Sequence, residues 1–315
     1  MLGLLAALSL APAPDLDAAR LSFHTGGLVT LNLVLALVMF GIALDLRVAD
    51  FRKLMLAPRP AIVGVVAQVV LLPAVTFALA LALRPPPSVA LGMLLVAACP
   101  GGPMSNFMTH LARGNTELSV ALTTATTGAA ILTTPLNLAF WAGLHPDAAP
   151  LLRSVALDPA DMLKTIGIVI IIPLTLGMLI AGYLPRLAAP LRKPLRILSI
   201  VVFAVMLVVA LRSNFAAADG HLLLILGIVV AHNALAFATG YVAATVARLS
   251  PRDRRAITIE VGIQNAGLAL LITVDFFSGL GGMALIAACW GVWHLIVGFA
   301  LVGSWRLRDR VAARA

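Results

Sequence analysis

Long apolar stretches separated by short basic loops set the pattern of this chain. Runs at 27–46, 60–83, 88–111, 118–141, 162–182, 195–211, 222–246, 256–274 and 281–303 approach or exceed the roughly 17–25 residues with which a helix crosses a bilayer. None alternates apolar with polar residues as a membrane β-strand does. A shorter apolar segment at 1–14 lacks the basic residues that open a signal peptide, and it predicts an abbreviated first helix. The fold expected is therefore an all-α polytopic membrane protein with ten transmembrane helices. Its halves are 1–141 and 162–305, joined by 142–161 and followed by a basic tail at 306–315.

The charges fall between the spans and alternate. Arg47, Arg52, Lys53 and Arg59, then Arg113, then Arg186, Arg192, Lys193 and Arg196, lie on one side. Arg248, Arg252, Arg254 and Arg255 continue that side, and Arg306, Arg308, Arg310 and Arg314 end it. The other side has Arg20, Arg84, Arg153, Lys164 and Arg212. The positive-inside rule makes the richer side cytoplasmic and both termini with it.

Composition agrees: the 315 residues are 61% hydrophobic and 11% charged, with a mean hydropathy of +1.05. Soluble domains carry about 25% charge. The net charge of +9 is explained by topology, so no nucleic-acid partner is expected; lipid is, and no obligate protein partner. No nucleophile–base pair stands out, so neither an enzyme nor a bound cofactor is expected, and no large soluble domain is expected that would serve a receptor with its own enzymatic output. Cys99 and Cys289 are far apart in apolar surroundings and read as buried thiols.

Two spans are poor membrane helices. In 88–111 the run Cys99-Pro-Gly-Gly-Pro-Met-Ser-Asn106 places prolines and glycines where Pro costs about 3 and Gly about 1 kcal/mol in a helix interior. In 256–274 a single carboxylate, Glu260, stands with Gln264 and Asn265 between Gly262 and Gly267. A charge at that depth costs roughly 2.5–3.5 kcal/mol even on a mild scale. Each interrupted span is fourth in its half, and paired interruptions in halves of opposite orientation point to a transporter site near the midplane.

The polar residues fit a hard, weakly charged cation. Ser105 and Asn106 lie at the first break, and Ser119 and Thr123 share a helix face four residues apart. Thr124, Thr126 and Thr127 follow; singly, each such hydroxyl is expected to bond its own backbone. With Glu260 they make a Na⁺ cage, while Gln68, mid-span, forms a second cluster with Gln264, Glu260 and carbonyls opened by the break. Calcium or magnesium would want more carboxylates, and zinc would want His or Cys at close spacing. A protonated Glu260, with proton coupling, is the competing reading. His232, Asn233 and His294 are the remaining deep polar side chains.

Several segments together resemble the bile acid:sodium symporter family, in its bacterial branch. They are Met39-Phe-Gly-Ile-Ala-Leu44, Cys99-Pro-Gly-Gly102 with Ser105-Asn-Phe-Met-Thr109, and Leu111-Ala-Arg-Gly-Asn115 running into Leu118-Ser-Val-Ala121. His232-Asn233 and Thr258-Ile-Glu-Val-Gly-Ile-Gln-Asn265 complete them. The resemblance implies two inverted five-helix repeats, a panel of helices 1, 2, 6 and 7, and a core of helices 3–5 and 8–10 in which broken helices four and nine cross. It implies import of an organic anion with two Na⁺ ions by alternating access, across a bacterial inner membrane.

By that resemblance the first sodium site is Ser105, Asn106, Ser119, Thr123 and Glu260. The second is Gln68, Glu260, Val261, Ile263 and Gln264, with carbonyls from Val261 and Ile263. Asn265 and His294 face substrate. The chain departs from the pattern at Pro103, where relatives commonly have Thr; the hydroxyl and the N–H are lost there, beside a helix start suited to an anion. Ile263 replaces a more usual Met. Small carboxylates such as pantoate suit the branch better than bile acids. Export of a metalloid through Cys99, and a non-transporting sensor or scaffold, are the alternatives.

Overall fold

The computed structural model describes residues 58–102, 104–154, 175–192 and 222–312 continuously, with 16–17 and single or paired positions within 36–44, 168–173 and 194–205. The expected spans at 1–14, 27–46 and 195–211 fall wholly or largely outside these residues and that at 162–182 in part, while Pro103 lies outside them. Among the described residues every regular element is helical, and one isolated antiparallel bridge joins Gly101 to Gln264.

Helix α1 (Pro58–Leu83) is a continuous span with a π-helical turn at Ala67–Leu71, where the Leu72 N–H reaches back to the Ala67 carbonyl. Pro73 follows that turn and has no N–H to give to the regular ladder. The helix ends on left-handed Arg84, φ 47°, and the proline run at 85–87 forbids continuation. Helix α2 (Pro87–Ala98) is buried on every face from Ser88 onward, so it belongs to the protein interior and not to a lipid boundary. Cys99 then turns extended, φ −71° and ψ 155°, as a residue before proline should. Helix α3 (Met104–Leu111) resumes the direction beyond the break.

Helix α4 (Thr116–Leu144) starts on the Asn115 side chain, which accepts the Leu118 N–H, and contains Pro135. Part of the connecting segment expected at 142–161 is described, and it is helical at both ends of the described stretch. Apolar periodicity carries α4 to Leu144, and α5 (Ala148–Ser154) follows after His145, whose ring Nδ1 lies 3.3 Å from the Asp147 and Ala148 N–H groups. Helix α6 spans Leu222–Val246. Helix α7 (Pro251–Gly262) is capped by Ser250, with Pro at its first turn and Asp253 behind it. Helix α8 (Ala266–Phe277) is capped by Asn265 and closes on left-handed Ser278. Helix α9 (Gly281–Ala312) has 32 residues, about 48 Å at 1.5 Å each, longer than a hydrocarbon core of about 30 Å.

Among the described residues three helices, α1, α6 and α9, are long and apolar enough to cross a membrane. The spans expected at 88–111 and 256–274 are not single helices but the pairs α2/α3 and α7/α8. Their breaks meet. The Gly102 N–H donates to the Ile263 carbonyl at 2.7 Å and the Asn265 N–H to the Pro100 carbonyl at 2.9 Å. The antiparallel pairing sets α2 beside α8 and α3 beside α7. Around it α6 lies close on α7, because Gly240 has no side chain: a Cβ there would stand 2.7 Å from the Ile257 carbonyl.

Candidate functional site

Five side chains converge where the breaks meet. Glu260, on the last turn of α7, is 1% exposed. Its Oε2 accepts from Ser105 Oγ at 2.7 Å, and Thr123 Oγ1 lies 2.8 Å from Oε1 and 2.9 Å from Oε2. Ser119 Oγ stands 3.4 Å from Oε2 and donates to Asn106 Oδ1 at 2.9 Å. Thr123 Oγ1 is also 3.2 Å from Asn106 Oδ1 and 3.3 Å from Ser105 Oγ. The first expected ligand set is therefore assembled by α3, α4 and α7, with Ser119 and Thr123 one turn apart on α4.

A hydroxyl has one proton to donate. Ser105, Ser119 and Thr123 can each serve one acceptor, so several of these short oxygen–oxygen contacts have no proton between them. Among the described residues, every side chain bonded to the carboxylate is a neutral hydroxyl. The chemistry is that of an oxygen cage with one negative charge, which a hard monovalent cation would neutralise. Gly101 makes the approach possible, since a Cβ on it would run into the Glu260 carboxylate.

The second set is drawn together differently. Gln68 sits in the π turn of α1, a distortion frequent at functional sites. Its Nε2 donates to Gln264 Oε1 at 2.7 Å and to the Cys99 carbonyl at 3.1 Å. Gln264 Nε2 returns a bond to Gln68 Oε1 at 3.2 Å and donates to the Val261 carbonyl at 2.6 Å. The Ile263 carbonyl accepts from Gly102. Gln68, Val261, Ile263 and Gln264 are thus neighbours whose polar groups pair with protein N–H groups. The Glu260 carboxylate is hydrogen-bonded to the hydroxyl cluster.

Asn265, 8% exposed, spends its Oδ1 on the Leu268 N–H as the cap of α8. His294 is buried on α9 and its Nδ1 has no partner among the described residues. His232, also buried, bonds Thr76 at 2.8 Å and packs tilted against Trp290, one turn before His294, with ring centroids 4.5 Å apart. Thr124 bonds the Val120 carbonyl and Thr126 the Thr123 carbonyl, the ordinary fate of helix hydroxyls. The π turn and the Thr76–His232 pair were not anticipated. Pro73, five residues after Gln68, is the signal in the sequence that marks the first.

Charged groups at one end tie the same helices together. Arg255 bonds the Ala112 carbonyl and both carboxylate oxygens of Asp309, at 2.8 and 2.5 Å. That hydrogen-bonded guanidinium holds the Asp309 carboxyl below its usual value. Asn115 Nδ2 donates to Asp253 Oδ1 at 2.7 Å, and its N–H to the Arg252 carbonyl at 3.0 Å.

Two helices broken against one another around one carboxylate bonded, among the described residues, by neutral hydroxyls alone are the arrangement of a membrane transport protein. Residues 32–218 match the Sodium Bile acid symporter family. The chain is 32% identical over 275 residues to the "Uncharacterized sodium-dependent transporter YocS" of Bacillus subtilis, covering 87% of this chain and 82% of that one. It is 32% identical over 275 residues to the "Probable sodium/metabolite cotransporter BASS1, chloroplastic" of Oryza sativa, and it spans 64% of that protein's length. With the human "P3 protein" it shares 29% over 231 residues, 73% of this chain and 47% of the other. A match covering 87% of the chain necessarily includes everything from Gln68 to Gln264. The chain belongs to the sodium bile acid symporter family, a family of sodium-dependent transporters, and is a multi-pass membrane protein.

Proposed function

We propose that this protein is a secondary active symporter that carries an organic anion inward with two Na⁺ ions by alternating access. The observation that carries the reading is the convergence of Ser105, Asn106, Ser119 and Thr123 on buried Glu260. One ion occupies that cage. The second takes the position held by the paired amides of Gln68 and Gln264, which turn their oxygens toward it together with the Val261 and Ile263 carbonyls and Glu260. Charge neutralisation draws α3, α4 and α7 together and fixes the paired breaks. The anion then binds beside them, against Asn265, His294 and the segment at Pro103. A substrate that prefers the ion-loaded arrangement is coupled to it by that preference alone.

The frame is two inverted five-helix repeats, panel helices 1, 2, 6 and 7 moving against core helices 3–5 and 8–10, in a bacterial cytoplasmic membrane with the C-terminus inside. Metalloid export through Cys99 has less support. Its backbone carbonyl joins the polar network through Gln68, and among the described residues no three His, Cys, Asp or Glu side chains gather as a metal site.

The test is a thermal-stability screen of the purified protein with bile acids and small carboxylates, pantoate included, in NaCl and in choline chloride. Compounds that stabilise it only with Na⁺ are then assayed for uptake into vesicles under a Na⁺ gradient. Na⁺-driven accumulation is expected. Accumulation driven equally by a proton gradient without Na⁺ would reject sodium coupling, and export of arsenite lost in Cys99→Ser would support the metalloid reading.

A further inference from the structure

Each break strands a carbonyl. The Ala98 carbonyl ends α2, and its regular helical donor, the Gly102 N–H, has gone to Ile263 instead. The Gly262 carbonyl ends α7, and its regular donor, the Ala266 N–H, turns to Gln264. A carbonyl left unpaired away from water is expensive. Neither is. Thr134 Oγ1 donates to Ala98 at 2.9 Å from α4, and Asn233 Nδ2 donates to Gly262 at 2.9 Å from α6.

Both side chains are exceptional in what they bond. Thr124, Thr239, Thr258 and Thr273 each return their hydroxyl to the carbonyl four residues back on their own helix. Thr134 instead reaches a residue 36 positions away. Asn233 is fully buried and leaves its own Oδ1 without a partner among the described residues. Its Nδ2 is the half of the amide that is bonded, to the Gly262 carbonyl. The carbonyls they hold adjoin the site: Cys99, bonded by Gln68, follows Ala98, and Val261 and Ile263 flank Gly262.

We propose that Thr134 and Asn233 are positioning residues of the ion sites, each capping a broken helix from the side and so fixing the direction of the carbonyls, of the helix end that carries Glu260 and of the extended segment that carries Gln264. The inference rests on the sodium reading above and deepens it. Neither residue touches an ion. Without the Thr134 hydroxyl the Ala98 carbonyl must find another donor, and its regular helical one, the Gly102 N–H, is one of the two that pair the breaks. Loss of either cap is therefore felt as weaker Na⁺ binding.

The experiment titrates NaCl into purified protein in choline chloride at constant ionic strength, reading thermal unfolding for wild type, Thr134→Val, Thr134→Ser and Asn233→Leu. Val and Leu are expected to raise the half-saturating Na⁺ by about tenfold, the scale of one buried hydrogen bond, while Ser stays within about twofold. A purely structural role would lower the unfolding temperature in choline and leave the Na⁺ midpoint where it was, and that result overturns the proposal. Where Thr134→Val does not fold, Thr134→Ala replaces it. If neither folds in saturating NaCl and Asn233→Leu keeps the wild-type midpoint, the proposal also falls. A wild type indifferent to Na⁺ would instead overturn the sodium reading itself.

Discussion

Ser105 and Glu260 lie 155 residues apart and share a hydrogen bond of 2.7 Å, one from each of the two broken helices. Nothing local brings them together. The bond exists because Pro100 and Gly101-Gly102 stop α2, Gly262 and Ile263 stop α7, and the two stops pair with each other.

Gly101 is the narrowest part of that arrangement, because a Cβ would overlap the carboxylate. Gly101→Ala is expected to lower stability by about 1–3 kcal/mol, the usual scale of overpacking, and to weaken Na⁺ stabilisation with it. Thermal unfolding with and without NaCl measures both. An alanine variant with an unchanged Na⁺ response would mean that the carboxylate does not bind the ion in this position.

Gln68→Ala removes one half of the amide pair and leaves the hydroxyl cage intact. Sodium-22 binding at equilibrium is expected to fall from two ions to one, with the cooperativity of uptake reduced accordingly. Unchanged stoichiometry would take Gln68 out of the second site.

Pro103→Thr restores a hydroxyl and an N–H beside the presented helix start. Substrate affinity is expected to change by about fivefold or more, in the range of a hydrogen bond gained or lost, with Na⁺ affinity held within twofold. Competition uptake and the Na⁺ dependence of the same variant give the two numbers, and equal shifts in both would remove any substrate-specific role for Pro103.

Asp309 is held in its charged form by Arg255. A carboxyl with a lowered folded-state value contributes stability that is fully present above its ordinary value of 3.8 and lost as pH falls through the folded value. Asp309→Asn is therefore expected to lower the unfolding temperature modestly at pH 7, the pair being only partly buried and screened by solvent. The gap to wild type should close at acid pH. A gap that stays constant down to pH 3 would assign the effect to packing.

Much of this was legible in the chain. The span expected at 222–246 ends where the helix does, at Val246, because a turn and then Pro251 follow the apolar run. Both breaks were visible, since proline and glycine act locally. The Ser119–Thr123 spacing gave one wall of the cage, and the cost of Glu260 pointed to its need for partners. The π turn at Gln68 was hidden because it depends on how Pro73 is accommodated within a tight bundle. Thr134 was hidden for another reason: by composition it is one hydroxyl among many, and only tertiary packing separates a threonine that bonds its own helix from one that caps a neighbour. Asn265 was expected to face substrate, yet half of its amide is committed to starting α8, a role that residue type alone does not exclude.

The central claim is that Glu260 and the hydroxyls around it hold Na⁺. Equilibrium binding of sodium-22 to the purified protein tests it most directly, comparing wild type with Glu260→Gln, which keeps the shape and removes the charge. Saturable binding by wild type, with loss of about tenfold or more in affinity at the cage in the variant, consistent with the removal of a charged partner, is the expected result. Equal sodium binding by the two proteins would contradict the account.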